Sequence, residues 1–109
     1  SPASIIEPSG VFMIRHIVLL TWKENTPQQA VDAVTEAFSQ LPALIPEIRQ
    51  YQFGPDLGMY PDNADYLLVA DFDNQQDFQA YAVNEDHIEL MKAVSMPIME
   101  SFHSAQFEI

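Results

Sequence analysis

Between residues 14 and 23 the chain reads IRHIVLLTWK, and its centre holds four apolar residues in a row. A run rich in Ile, Val and Leu with no breaker predicts a β-strand. Alternation puts Ile14, His16, Val18, Leu20 and Trp22 on one face and Arg15, Ile17, Leu19, Thr21 and Lys23 on the other, so the middle of the strand is apolar on both. The period then changes. Over residues 26–41, Ala30, Val31, Val34, Ala37, Phe38 and Leu41 fall at helical spacing. Thr26 reads as the N-cap, Pro27 as the first helical residue and Gln29 as the partner in a capping box, with Pro42 and Pro46 as the stop. Residues 48–53 (IRQYQF) read as a second strand. A turn-rich segment follows at 54–64, and DYLLVADF (65–72) reads as a third strand, again apolar on both faces near its centre. Asn74 caps a short helix over 75–83, HIELMKAV continues as a second helical segment with Pro97 near its end, and 100–109 alternates as a final strand.

The order β-α-β-β-α-β predicts an α+β, ferredoxin-like domain: a four-stranded antiparallel sheet with two main helices on one face. Those helices can cover only one face of strands that are apolar on both. A second copy of the chain resolves this, with two sheets packed face to face as a dimeric α/β barrel.

The chemistry of interest sits at FQAYAVNEDHIELM, residues 78–91, where Tyr81 and His87 lie six positions apart. On one straight helix they would point roughly 120° apart. They can meet only if the helix breaks between them, and Asn84-Glu85-Asp86 is a suitable place, because Asn and Asp favour caps over helix interiors. With Asp86 as the cap and Glu89 completing a capping box, His87 falls in a first helical turn, where the positive helix end disfavours protonation. A neutral imidazole suits a general base. His16 lies on the face the helices cover, so His16, Tyr81 and His87 are the candidate catalytic residues, with Val18, Leu20, Trp22, Phe38 and Phe78 as the candidate pocket wall. Each has a plainer reading. A strand His is often a hydrogen-bonded core residue, Tyr81 suits a core edge, His87 suits a solvated helix start, and Met91, Met96 and Met99 read as gap-filling core. His103, on the last strand, is the weakest of the three histidines as a site residue.

Composition narrows the partners. Sixteen acidic residues face four basic ones, a formal charge of −12, which argues against nucleic acid and anionic membranes. Absence of Cys excludes disulfides and thiol catalysis. No EF-hand loop, HExxH motif, glycine-rich phosphate loop or GxSxG is present, and three dispersed histidines are a poor zinc set, so neither metal nor cofactor is expected. Residues 1–12 (SPASIIEPSGVF) read as a flexible leader before a domain over 13–109. They have no basic start and no long apolar core, so no signal peptide is expected and the cytoplasm is the expected location.

Four stretches resemble the stress-responsive A/B barrel (Dabb) family of the dimeric α+β barrels: MIRHIVLLTWK at 13–23, LPALIPEIRQYQFGPDL at 41–57, YLLVADFDNQQDFQAYAVNEDHIEL at 66–90 and the closing FEI. The resemblance implies a ferredoxin-like subunit that dimerises through its sheets. It also implies a pocket for a small apolar or phenolic ligand between sheet and helices. One plant member of the family is a polyketide cyclase that works without a cofactor through a strand His and a Tyr and His near the second helix. By resemblance those roles fall on His16, Tyr81 and His87. Related haem-degrading barrels carry an Asn on the first strand and a Trp on the third; here the first strand carries His16 and the single Trp, Trp22, which departs from that pattern. Three readings stay open: cofactor-free acid–base chemistry of the cyclase or lyase kind, a non-catalytic structural or stress-protective barrel, and a cofactor-free monooxygenase.

Overall fold

A computed structural model describes residues 12–109; of the expected leader, only Phe12 falls within them. The elements are β1 (Ile14–Trp22), α1 (Gln28–Leu44), β2 (Ile48–Pro55), β3 (Tyr66–Phe72), α2 (Gln75–Ala82), α3 (Glu85–Leu90) and β4 (Met99–Glu108). A π-helical turn at Met91–Ser95 and a 3₁₀ turn at Met96–Ile98 join α3 to β4. The strands form one antiparallel sheet in the order β2-β3-β1-β4, which is the ferredoxin-like topology.

Alternation along β1 and β3 decides where the core lies. Leu20, Tyr66, Leu68, Ala70 and Phe72 face the helices and are buried against Val31, Val34, Phe38 and Leu41 of α1, Ile45 just beyond it, and Tyr81 of α2. Phe38 meets Tyr51, Phe53 and Tyr66 in edge-to-face contacts with ring centroids 5.7–6.3 Å apart. The Tyr66 hydroxyl, which burial would otherwise strand, shares a 2.6 Å hydrogen bond with Thr35.

The opposite face has a different character. Across the sheet, Leu67, Leu19 and His103 stand in one row, Val69, Ile17 and Ala105 in the next, and Asp71, Arg15 and Phe107 in a third. Leu19 is 41% exposed, and Phe107 is exposed as well. The third row holds a fork of two 2.8 Å hydrogen bonds from the Arg15 guanidinium to the Asp71 carboxylate. β4 is an edge strand that pairs only with β1, and its side chains from Glu100 to Phe107 are exposed on both faces.

Both ends of α1 depart from the sequence expectation. Thr26 does not cap it. Its hydroxyl donates to the Lys23 carbonyl at 2.6 Å, closing a turn in which Asn25 takes a positive φ of 63°. Pro27 therefore occupies the cap position with no side-chain cap bond, and no capping box with Gln29 forms. Pro42 does not stop the helix either; it lies inside, on the exposed side of the last turn. Leu41 and Ile45, both fully buried, hold that turn against the sheet, and the Ile45 N–H donates to the Leu41 carbonyl at 2.9 Å. Tertiary burial outweighs the one helix bond that Pro42 cannot make.

Candidate functional site

The second helical region breaks between Ala82 and Glu85. The Val83 N–H bonds back to Gln79 and Tyr81, the Asn84 N–H donates to the Tyr81 carbonyl at 3.2 Å, and Asn84 takes an extended conformation that turns the chain. The Asn84 side chain then accepts from the N–H groups of Asp86 at 2.8 Å and His87 at 3.3 Å. The cap is thus Asn84 rather than Asp86, because its carbonyl oxygen reaches the two orphan donors of the new helix. Glu85 and Asp86 in the first turn add favourable charge at that end. Replacing the cap with Asn84→Ala is expected to cost about 1 kcal/mol. The loss should concentrate as faster amide exchange over Glu85–Leu90; unchanged protection there would contradict this account of the break.

The break brings the two rings together. Tyr81, in the last turn of α2, stacks on His87 with centroids 4.2 Å apart and planes at 29°. His16 approaches the same group from β1, 4.8 Å from Phe78 and 6.2 Å from Tyr81 between ring centroids. All three line one cavity of about 190 Å³ between sheet and helices. Val18 and Leu20 of β1 and Leu68 of β3 form its floor, with Phe38 of α1 and Phe78 of α2 beside them. Met91 and Met99 close the far side, and Phe102 and Ser104 of β4 form the flank that no helix covers. Trp22, expected in the wall, is not there. It lies beyond the β-bulge at Thr21 and Trp22 and packs on Tyr66, 5.7 Å away between centroids. Met91 and Met99 read as gap-filling core but line the cavity, the former because α3 widens into the π turn at that point. Met96 is exposed and fills no gap. His103 stands on the opposite face of the sheet, away from the cavity.

Two polar partners were not legible in the sequence. Tyr51 of β2 shares a 2.7 Å hydroxyl–hydroxyl hydrogen bond with Tyr81. It stands on the helix face with Phe53, opposite Ala70 and Leu68 of β3, and a bulge between Ile48 and Gln50 lets Ile48 share that face. Gln106 of β4 stands opposite His16, with its side-chain amide nitrogen 3.0 Å from His16 Nδ1. The alternation of β4 could have placed Phe102, Ser104 and Gln106 on one face, but which strand they would meet depends on pairing.

Electrostatics in the cavity favour neutral groups. Burial, reinforced by the neighbouring His87, lowers the His16 pKa to about 4. Burial also lowers that of His87, partly offset by hydrogen bonding to the Ala82 and Tyr81 carbonyls. Burial pushes Tyr81 up to about 12 and raises Tyr51 further. His16 therefore links stability to pH. An unfolded chain takes up this proton near pH 6.5, whereas the folded chain resists it down to about pH 4. The stabilisation is complete above pH 6.5 and is lost as pH falls through that window, by about 3 kcal/mol in all. Urea unfolding of wild type and His16→Gln at pH 7 and pH 4 should show it as a steeper loss in the wild type; parallel curves would contradict it.

Among the described residues, no group of three or more His, Cys, Asp or Glu side chains is placed to hold a metal ion, and no helix is long and apolar enough to cross a membrane.

The fold and site together define a small α+β domain: a ferredoxin-like sheet with its helices on one face, and between them an apolar cavity edged by two imidazoles and a phenol. The chain belongs to the stress responsive A/B barrel domain family, Dabb, whose family model matches residues 14–109. Among solved structures it is similar to a dimeric ferredoxin-like protein from Thermobifida fusca, with 37% identity over 91% of this chain and 92% of that one and a TM-score of 0.83. It is also similar to a dimeric ferredoxin-like protein from Bacteroides fragilis, with 27% identity over 89% and 96% of the two chains and a TM-score of 0.80. A hydroxynitrile lyase from Passiflora edulis shares the fold, with 22% identity over 90% and 94% and a TM-score of 0.79. No curated protein matches the sequence.

Proposed function

We propose that this Dabb protein binds a small, uncharged, largely apolar molecule in the cavity and moves a proton on it. The observation that carries this reading is the convergence of His16, Tyr81 and His87, from β1, α2 and α3, on one apolar space. An apolar cavity of about 150 Å³ is enough to take benzene, so about 190 Å³ suits a molecule of single-ring size. A structural barrel would gain stability by filling such a space. The formal charge of −12 disfavours anionic ligands.

In the chemistry proposed, His87 is the base. A proton leaves a carbon or hydroxyl of the substrate for neutral His87, and the charge that develops on the substrate oxygen is met by a hydrogen bond from His16. Protonated His87 returns the proton at the product stage, so the protein ends as it began. Tyr81 holds the His87 ring by stacking, and its hydroxyl is anchored by Tyr51. The Passiflora hydroxynitrile lyase is an enzyme on this fold; at its identity it supports the fold and assigns no residue here. A screen of small uncharged carbonyl and phenolic compounds, read by ligand-detected NMR and then by turnover, tests the reading. Saturable binding that His87→Ala and His16→Gln both alter supports it, and ligands that bind elsewhere count against it.

The working unit we propose is a homodimer formed through the helix-free face of the sheet, closing two sheets into a barrel. The apolar rows around Leu19 and Ile17 and the unpaired edge of β4 support it, as do the relatives described as dimeric.

A further inference from the structure

The two cavity histidines are held differently through their Nδ1 atoms. Nδ1 of His16 lies 3.0 Å from the amide nitrogen of Gln106, a group that can only donate. Nδ1 of His87 lies 3.4 Å from the Ala82 carbonyl oxygen, which can only accept. With the Gln106 amide nitrogen turned to His16, the first nitrogen is bare, and the carbonyl contact assigns the proton to the second. In a neutral imidazole this decides the other nitrogen too: Nε2 of His16 is an N–H donor, and Nε2 of His87 is a lone-pair acceptor. Among the described residues neither Nε2 has a protein partner, and no buried side-chain nitrogen or oxygen is left unpaired. The Nε2 atoms are thus open, and His16, only 9% exposed, can open only onto the cavity that it lines.

We infer that Gln106 is a positioning residue that locks His16 in the Nε2–H tautomer, so that the cavity presents one imidazole as a donor and the other as an acceptor. This rests on the acid–base reading above and deepens it. A ligand must place an acceptor oxygen at His16 and a removable proton at His87. Uncharged carbonyl compounds with an adjacent acidic C–H or hydroxyl satisfy both demands. A carboxylate offers only acceptors and leaves His87 unmatched.

Nitrogen-15 NMR of the full chain labelled at histidine tests the lock. The sequence has three histidines, and a His103→Gln variant identifies the one outside the cavity. In wild type at pH 7, His16 should show a bare Nδ1 and a protonated Nε2, and His87 the reverse. Gln106→Glu replaces the donor with an acceptor on an exposed edge strand, so His16 should move its proton to Nδ1 while His87 stays as it was. A protonated Nδ1 on wild-type His16, or a Gln106→Glu spectrum with His16 unchanged, overturns the inference. Cyclohexanone, an uncharged ketone of suitable size, separates this from the ligand reading. Its binding should weaken about tenfold in Gln106→Glu, where His16 turns a lone pair toward the carbonyl. If wild type shows the stated tautomers but takes no cyclohexanone or related ketone, the positioning role stands and the acid–base reading fails.

Discussion

His87→Ala is expected to lower turnover of a carbonyl substrate by about 10²–10⁴-fold, the usual worth of a general base. The fold should survive. His87 is half-buried, and its ring is held by long hydrogen bonding to backbone carbonyls, 3.4 Å to that of Ala82, together with the stack on Tyr81. The Asn84 cap, which sets the break, is untouched because it holds backbone N–H groups. The fall should therefore appear in kcat with little change in unfolding midpoint. Tyr81→Phe should cost less, since it keeps the stack on His87 and removes only the hydroxyl shared with Tyr51. Full turnover by His87→Ala would remove His87 from the chemistry.

Leu19→Glu is expected to break the proposed dimer. Leu19 lies between Leu67 and His103 in the centre of the helix-free face and is 41% exposed in the single chain. In a two-fold interface the substitution enters twice, and each carboxylate would have to leave water for an apolar surface. An unpaired charge buried this way costs several kcal/mol, so dimer affinity should fall by at least about 10²-fold. Sedimentation or light scattering should then find monomer or aggregate. A Leu19→Glu protein that remains a stable dimer would show that another surface joins the subunits. Leu20→Glu is a useful contrast: its side chain is buried in the subunit's own core, so it should unfold the chain rather than dissociate it.

How far the sequence could be read depended on the range of the interaction involved. β1 and β3 were legible because alternation and β-branched residues act locally, and the two-sided apolar pattern at Ile17, Leu19, Leu67 and Val69 already marked a face that the helices leave bare. The break before His87 was legible too, since Asn and Asp within a helical pattern compete for backbone donors; choosing Asn84 over Asp86 was a matter of two residues. Thr26 failed as a cap because its side chain turns back to donate to the Lys23 carbonyl, closing the turn at Asn25, and Pro27 takes the cap position. Pro42 failed as a stop because burial of Leu41 and Ile45 outweighed its local penalty. Tyr51 and Gln106 were hidden for another reason. One depends on a helix thirty residues away in sequence packing over β2, and the other on the register of a strand ninety residues away from His16. Trp22 is on the face that alternation gives it, packed against the core at Tyr66, but it sits at the end of β1, beyond the cavity, and position along a strand is not set by alternation.

The central claim is that His16 and His87 belong to one ligand site. A titration with phenol, an uncharged single-ring probe, followed by the ring proton signals of the three histidines, tests it most directly. The expected result is that His16 and His87 shift along the same saturating curve while His103, on the other face of the sheet, does not move. A saturable shift at His103 alone, or no saturable shift at His16 and His87 with phenol or with any ligand of the carbonyl screen, would contradict it.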